Sequence, residues 1–228
     1  MMEFRGKLVL LDIEGTVAPL AFVHDVMFPY ARSHAGAWLE ANWGHEVVGQ
    51  LARDAGVPGF DDPAEAIAAV GRLMDADAKV TGLKQLQGLV WEQGFRRGEL
   101  CSTLFDDVVP ALELWREAGR EIRIYSSGSV HAQRLFFAHT NVGDLTPFFS
   151  GFYDTTTGSK RESSSYAAIA ADCGIPAQEI LFLSDLVDEL DAARGAGMIT
   201  ALADRPGNQP APPHDHPSLA AFFEVTLS

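Results

Sequence analysis

The stretch Leu8-Val9-Leu10-Leu11-Asp12-Ile13-Glu14-Gly15-Thr16 decides the fold of this chain. It begins with aliphatic residues without a polar interruption, which is typical of a strand buried on both faces in a parallel sheet. Asp12 and Glu14 follow, and side chains two apart on an extended segment point the same way. Because sites in open parallel sheets form at the carboxyl ends of strands, both acids are candidate site residues. The plainer alternative places them in a solvated turn.

The rest of the chain divides into an all-helical block and an alternating block. Residues 20–100 contain amphipathic helical patterns only, and the best marked begins at Asp62-Pro63-Ala64-Glu65, with an N-cap acid, a proline and a glutamate. After this block, predicted strands alternate with predicted helices, which indicates an α/β fold. We therefore expect a parallel-sheet, Rossmann-like α/β core formed by 1–19 and 101–228, with an all-helical insertion at 20–100.

Periodicity and capping residues also predict the individual elements of both blocks. The predicted helices are 24–42, 46–55, 62–77, 80–93, 108–118, 130–138, 163–173 and 188–196, and the predicted strands after the first are 121–125, 148–153, 180–183 and 198–203. Gly94 and Gly98 are expected to break the helix that precedes them. From Asp204 the chain is rich in proline and is expected to wrap the surface.

Composition and charge restrict the classes of partner. The chain has 228 residues and a net charge of −14, so it should repel phosphate backbones and anionic lipid, and we expect neither nucleic acid nor membrane as a partner. Cys101 and Cys173 are far apart, which excludes a cysteine zinc site and suits a reducing compartment. No signal peptide or membrane-spanning run is predicted, so we expect a cytoplasmic protein, and a monomer.

Polar side chains follow three of the predicted strands. Besides Asp12 and Glu14, Ser126 and Ser127 precede a helix, where hydroxyls and amides form an anion cradle, and Asp185 follows the strand at 180–183. Taken singly, these serines and Asp185 could be helix caps. Because parallel strands all point one way, however, their ends should meet at one edge of the sheet.

Lys160 is the only lysine after Lys84 and lies between the second and third of these strand ends. Taken alone, it could be a solvated surface residue. Its position in the chain instead favours a place beside the converging acids.

This arrangement resembles the haloacid dehalogenase-like phosphohydrolase superfamily. The matching residues are Asp12-Ile13-Glu14-Gly15-Thr16, Ser126 and Ser127, Lys160, and Ser184-Asp185 with Asp188 or Glu189. Glutamate is unusual at position 14 but is found in one branch, the acireductone synthases, which are the bifunctional enolase-phosphatases of methionine salvage. The phrases Phe28-Pro29-Tyr30-Ala31, Tyr125-Ser126-Ser127-Gly128-Ser129-Val130 and Arg205-Pro206-Gly207-Asn208 are also similar to that branch. Val17 stands where many of its members have a second threonine.

The resemblance implies a role for each matching residue and makes the helical insertion a cap. Asp12 would be the nucleophile and Glu14 the general acid and base. Lys160 would neutralise charge, and Ser126 and Ser127 would bind the phosphoryl group together with it. One Mg²⁺ per chain would be held by Asp12, the backbone carbonyl of Glu14 and Asp185. Either Asp188 or Glu189 would orient water or Lys160.

The implied activity is a magnesium-dependent conversion of 2,3-diketo-5-methylthiopentyl-1-phosphate to acireductone and phosphate through an aspartyl-phosphate. The main alternative is a phosphatase of the same fold that acts on another small phosphorylated metabolite. A catalytically inactive phospho-ligand-binding module is weakened by the intact motifs, and a dehalogenase by the acid at position 14. The base for enolisation stays unassigned, with His24 and Asp25 as candidates near the start of the insertion.

Overall fold

The computed structural model describes residues 1–227 and divides into two compact units. The first consists of Met1–Phe22 and the chain from Cys101 onward, and the second is Val23–Leu100. The use of 20–100 as a cap stays a prediction.

Within the described residues, the first unit contains a six-stranded sheet in the order β4-β3-β2-β5-β6-β7, with every neighbouring pair parallel. The strands of this unit are β1 Met2–Phe4, β2 Leu8–Leu11, β3 Glu121–Tyr125, β4 Gly151–Tyr153, β5 Ile180–Ser184, β6 Ile199–Ala203, β7 Ser218–Leu219 and β8 Val225–Leu227. The predicted α/β parallel-sheet fold is confirmed.

The quoted aliphatic run forms the centre of this sheet. All residues of β2 are buried, and the strand pairs with β3 on one side and β5 on the other. A strand with helices over both faces needs apolar side chains at every position, which explains why the run does not alternate. The carboxyl ends of β2, β3 and β5 therefore lie side by side.

The helices of the first unit agree closely with the predicted ones. They are α5 Val108–Glu117, α6 Val130–Ala138, α7 Ser163–Cys173 and α8 Val187–Gly195. Helix α7 ends at Gly174, whose φ of 65° is the left-handed conformation that glycine adopts without a Cβ penalty.

The second unit is helical throughout its named elements. A π-helix, Phe22–Met27, begins in the first unit and leads into α1 Phe28–Ala41, α2 Glu46–Asp54, α3 Pro63–Asp75 and α4 Thr81–Arg96. The side chain of Asp62 accepts a hydrogen bond from the backbone N–H of Glu65, as the capping pattern predicts. The unit has its own apolar core, which includes Trp38, Leu39 and Leu86.

The prediction that Gly94 breaks the fourth helix is wrong, because α4 continues to Arg96. A Cβ at Gly94 would lie 2.7 Å from the ring of Tyr30 and 2.9 Å from Leu100. Glycine at position 94 therefore allows Tyr30 and Leu100 to pack closely against the helix. The chain turns away after the helix at Gly98, where φ is 69°.

The chain after Asp204 contains strands that were not predicted. Strand β7 adds to the edge of the main sheet beside β6, and β8 pairs with β1 in a second, two-stranded sheet. The predicted strand 148–153 is shorter, since Thr146–Phe148 forms a 3₁₀ turn before β4. Within residues 1–227, no helix has both the length and the apolarity that crossing a membrane requires.

Candidate active site

Asp12 and Lys160 form a buried ion pair at the end of β2. Each side chain is 8% exposed, and Nζ of Lys160 lies 2.6 Å from Oδ1 of Asp12 and 2.5 Å from Oε2 of Glu189. The hydroxyl of Thr16 donates to the other oxygen of Asp12, Oδ2, at 3.3 Å. The Asp12 carboxylate is therefore held at both oxygens, which fixes its orientation.

Charge and burial oppose each other at Lys160. Burial alone would lower the pKa of its ammonium group, but the charges of Asp12 and Glu189, and their hydrogen bonds, outweigh this effect and raise the pKa. Lys160 is consequently a permanent cation beside Asp12.

Two tyrosines hold the loop that carries Lys160. The hydroxyl of Tyr166 donates to the carbonyl of Lys160 at 2.8 Å, and that of Tyr125 donates to the carbonyl of Gly158 at 3.0 Å. Both tyrosine rings are fully buried. Because the loop is anchored on both sides, the ammonium group does not have to be ordered when a ligand binds.

Asp188 and Glu189, which the motif left as alternatives, differ in burial. Glu189 is buried, contacts Lys160 and accepts a hydrogen bond from the hydroxyl of Ser184 at 2.9 Å. Asp188 is exposed and lies 3.8 Å from Arg161 at the surface. Of the two residues that the motif left open, only Glu189 contacts Lys160.

Asp185 follows β5 and is partly buried. Burial, followed by the negative charges of Asp12 and Glu189, raises the pKa of its carboxyl group to about 7. Burial and the charge of Asp12 also raise the pKa of Glu189 to about 7, although Lys160 opposes the shift. Asp12 and Glu189 share the ammonium group of Lys160, and the nearby carboxyl of Asp185 leaves the cluster short of positive charge.

The loop after β3, which contains Ser126 and Ser127, is held by a side chain of helix α6. Ser126 is buried, Ser127 is exposed, and the side chain of Gln133 donates to the carbonyl oxygens of Gly128 and Tyr153 at 2.7 and 2.8 Å. The hydroxyl of Ser126 accepts a hydrogen bond from the backbone N–H of Gly128 at 3.3 Å. Gln133 was not predicted, and its burial on α6 is its only distinguishing property.

The loop after Asp12 turns sharply at Gly15. Its φ is 70°, and a Cβ there would lie 2.5 Å from Oδ2 of Asp185 and 2.9 Å from Oδ1 of Asn208. Glycine is required for both backbone conformation and space. The turn brings Asp185 against the backbone that follows Glu14.

All the predicted site residues line one cavity of about 280 Å³ in the first unit. The predicted residues are Asp12, Glu14, Ser126, Ser127, Lys160 and Asp185, and the further lining residues are Leu20, Leu186, Val187, Glu189, Gln209, Pro210, Ala211 and Pro212. The stretch 209–212 was predicted only to wrap the surface, but it forms one wall of the cavity.

A divalent cation fits this donor set. Among the described residues, no three His, Cys, Asp or Glu side chains are grouped closely enough to hold a metal by themselves. Mg²⁺ does not need such a group, since it keeps several waters and takes only a few carboxylate or carbonyl oxygens from a protein. The carboxyls of Asp12 and Asp185, crowded beside a single ammonium group, have the oxygen chemistry and the missing positive charge that it would supply.

His24 and Asp25, the candidate bases for enolisation, belong to the second unit. His24 is exposed in the second unit, where its ring lies 5.9 Å from that of Phe28, and a role for it or for Asp25 in enolisation stays a prediction. His216 is buried in the first unit, where its ring nitrogens contact Thr200 at 2.8 Å and Asp191 at 3.2 Å. These contacts join the proline-rich segment to β6 and α8.

The comparison with known families agrees with the geometry of the cavity. The model of the haloacid dehalogenase-like hydrolases matches residues 7–197, which include every predicted site residue. The chain belongs to the haloacid dehalogenase-like hydrolase family.

Its relatives include proteins that match almost end to end. Enolase-phosphatase E1 of Aquifex aeolicus is 44% identical over 97% of this chain and 99% of its own length. Enolase-phosphatase E1 of Acidiphilium cryptum is 47% identical over 100% of this chain and 97% of its own length. The crystal structure of the UTR4 protein of Saccharomyces cerevisiae has a TM-score of 0.81 and 35% identity, and the match covers 94% of this chain and 97% of that one.

Proposed function

We propose that this hydrolase is a magnesium-dependent enolase-phosphatase that converts 2,3-diketo-5-methylthiopentyl-1-phosphate to acireductone and phosphate. The observation that carries the proposal is the buried Asp12–Lys160 pair in a cavity that also contains Glu14 and Asp185. The names of the relatives, which match over nearly the whole chain, support the same activity. We expect it to act as a cytoplasmic monomer on this small phosphorylated substrate.

In the phosphatase step, an oxygen of Asp12 attacks phosphorus and the ester P–O bond breaks. Thr16 and Lys160 hold this carboxylate in one orientation, so little ordering is needed before attack. Glu14 donates its proton to the leaving oxygen, and the product is an aspartyl-phosphate.

Glu14 then acts in the opposite direction. It takes a proton from a water molecule that attacks phosphorus, the bond between phosphorus and Asp12 breaks, and phosphate leaves. Glu14 is protonated again at the end of the cycle, while Asp12 returns as the carboxylate.

The other residues stabilise charge on the transferring group. The ammonium of Lys160 and the hydroxyls and amides of Ser126 and Ser127 provide positive charge and donors. Glu189 keeps Lys160 in place through their 2.5 Å contact. Asp12, Asp185 and the backbone carbonyl of Glu14 would hold Mg²⁺, which when bound would supply Lewis-acid stabilisation of the phosphoryl oxygens.

Enolisation needs a base for a proton next to a carbonyl, and we assign no residue to it. We propose that the second unit, Val23–Leu100, is the cap that selects the substrate.

The proposal is tested with the diketone phosphate and Mg²⁺, following enol absorbance and free phosphate together. The expected result is enol formation and phosphate release, both lost on chelation of the metal. Hydrolysis of a generic aryl phosphate without any reaction of the diketone would instead support a phosphatase with another small substrate. Phosphate binding without any hydrolysis would support a binding module.

A further inference from the structure

One segment after β6 holds two successive carbonyl groups of the loop that carries Glu14. Nδ2 of Asn208 donates to the carbonyl of Gly15 at 2.8 Å, and Nε of Arg205 donates to the carbonyl of Thr16 at 3.0 Å. The partners are 193 and 189 residues apart in the chain. The mechanism described above assigns no part to either donor.

Arg205 is a rigid support. Its side chain is 2% exposed, and its guanidinium lies 4.9 Å from the ring centre of Phe105 and 4.2 Å from that of Phe222. Nη1 donates to Asp107 at 2.8 Å and to the carbonyl of Ala220 at 3.0 Å. Because the planar guanidinium is stacked and paired, its Nε–H has a fixed direction.

Asn208 is held by hydrogen bonds from both its side chain and its backbone. Besides Gly15, its Nδ2 donates to the carbonyl of Ala203 at the end of β6 at 3.1 Å, and its backbone N–H donates to the carbonyl of Arg205 at 3.1 Å. Its Oδ1 is buried and has no hydrogen-bond partner within residues 1–227. This oxygen lies on the side of Gly15 that also faces Oδ2 of Asp185.

Within the loop, the backbone N–H of Gly15 donates to the carbonyl of Ala18 at 2.8 Å, and three further N–H groups converge on one carbonyl. The backbone N–H groups of Thr16, Val17 and Ala18 all point to the carbonyl of Ile13, at 3.2, 2.9 and 2.9 Å. The carbonyl groups of Gly15 and Thr16 are instead held by side chains from the distant segment. The peptide group that joins Gly15 to Thr16 adjoins the one that joins Glu14 to Gly15, so a displacement of the first would also shift the backbone of Glu14.

We propose that Asn208 and Arg205 are positioning residues that orient Glu14 for proton transfer to the leaving oxygen. This inference rests on the role of Glu14 in the proposed function. A general acid matters most when the leaving group is basic, so misplacement of Glu14 should slow esters with poor leaving groups and spare those with good ones.

The test compares phenyl phosphate with p-nitrophenyl phosphate, which differ little in size but greatly in leaving-group basicity. We expect Asn208→Ala to lower kcat/KM for phenyl phosphate by about tenfold or more, and for p-nitrophenyl phosphate by about threefold or less. Glu14→Gln should change the two esters in the same unequal way. Asn42→Ala is the matched control, because Asn42 also donates its amide to a backbone carbonyl, that of Trp38 at 2.8 Å, but in the second unit.

A purely structural role would lower both rates equally or leave both unchanged, and either result overturns the proposal. Asn208→Ser provides a smaller donor if the alanine variant does not fold, and the same inequality is expected of it. Hydrolysis of both esters by the parent tests the proposed phosphatase chemistry separately.

Hydrogen exchange provides a readout that does not depend on activity. We expect the amides of residues 15–18 to exchange about tenfold faster in Asn208→Ala, with the amides of β3 unchanged. If the parent hydrolyses neither ester, the proposed function fails. Hydrogen exchange of residues 15–18 still shows whether Asn208 holds the loop in place. Unchanged protection of residues 15–18 would overturn the inference.

Discussion

The ammonium group of Lys160 lies 2.6 Å from Oδ1 of Asp12, although the two residues are 148 positions apart in the chain. The pair is buried at the point where β2 ends and is shared with Glu189. Such a contact places a fixed positive charge beside the proposed nucleophile.

Removal of this cation should impair catalysis strongly. We expect Lys160→Ala to lower phosphate release by at least about a hundredfold, because a preorganised charge at the phosphoryl group is lost. Thermal stability should also fall in metal-free buffer, since Asp12 and Glu189 lose a buried partner. The control is Lys7→Ala, whose exposed pair with Glu179 contributes little. Equal rates for the Lys160 variant and the parent would contradict the assignment.

The two half-reactions should separate in Asp12→Asn. The amide is a far weaker nucleophile of nearly the same shape, so phosphate release should fall by several orders of magnitude. Enolisation leaves the P–O bond intact, and the variant should therefore accumulate the enol phosphate from the diketone with Mg²⁺. Enol absorbance and free phosphate are measured together. Loss of both signals in a folded, magnesium-binding variant would mean that Asp12 also takes part in proton transfer, and undiminished phosphate release would remove Asp12 as the nucleophile.

Asp185 should matter for the metal more than for the fold. Asp185→Asn and Asp185→Ala are expected to lose most of the affinity for Mg²⁺ in calorimetry. In metal-free buffer we expect Asp185→Asn to be at least as stable as the parent, because the repulsion by Asp12 and Glu189 is removed. Asp188→Asn, three positions along, is the matched control and should bind Mg²⁺ normally. Parent-like magnesium binding by a folded Asp185 variant would refute the metal assignment.

Gly15 and Gly56 form a matched pair of left-handed glycines, with φ of 70° and 73°. Gly56→Ala adds a Cβ with no atom within 4 Å, so it should cost only the backbone strain of about 1–2 kcal/mol. Gly15→Ala should cost more and should reduce activity, because its Cβ would lie 2.5 Å from Oδ2 of Asp185. Denaturant unfolding and phosphate release measure the difference. Equal losses of stability and activity in the two variants would contradict a clash between a Cβ at position 15 and Asp185.

His216 should make stability depend on pH. Burial, and then the charge of Arg194, lower its pKa in the folded state, although Asp191 opposes the shift. The folded protein therefore favours the neutral ring, and stability should fall as pH drops below the unfolded pKa of about 6.5 and level off below the folded pKa. His216→Asn should flatten this fall in stability below about pH 6.5, measured by denaturant unfolding across the pH range. An unchanged profile in His216→Asn would exclude His216 as its source.

The sequence alone determined the strands of the main sheet from β2 to β6, the order of most elements and the family. A strand with two buried faces needs an unbroken aliphatic run, and β2 has one in Leu8–Leu11. Helix starts such as Asp62-Pro63 depend on neighbouring residues only, so they are visible in the chain itself. The motif residues could be assigned because parallel strands align their carboxyl ends whatever the distance along the chain.

Only the tertiary structure decided which groups meet. Asp188 and Glu189 are adjacent on a helix, and the packing of α8 alone buries Glu189 against Lys160 and leaves Asp188 at the surface. Strands β7 and β8 are too short to have a periodicity of their own, and they exist through pairing with β6 and β1. The hydrogen bond of Asn208 to Gly15 likewise joins residues with no local relation. Such contacts depend on how distant elements pack, and no pattern within one element encodes them.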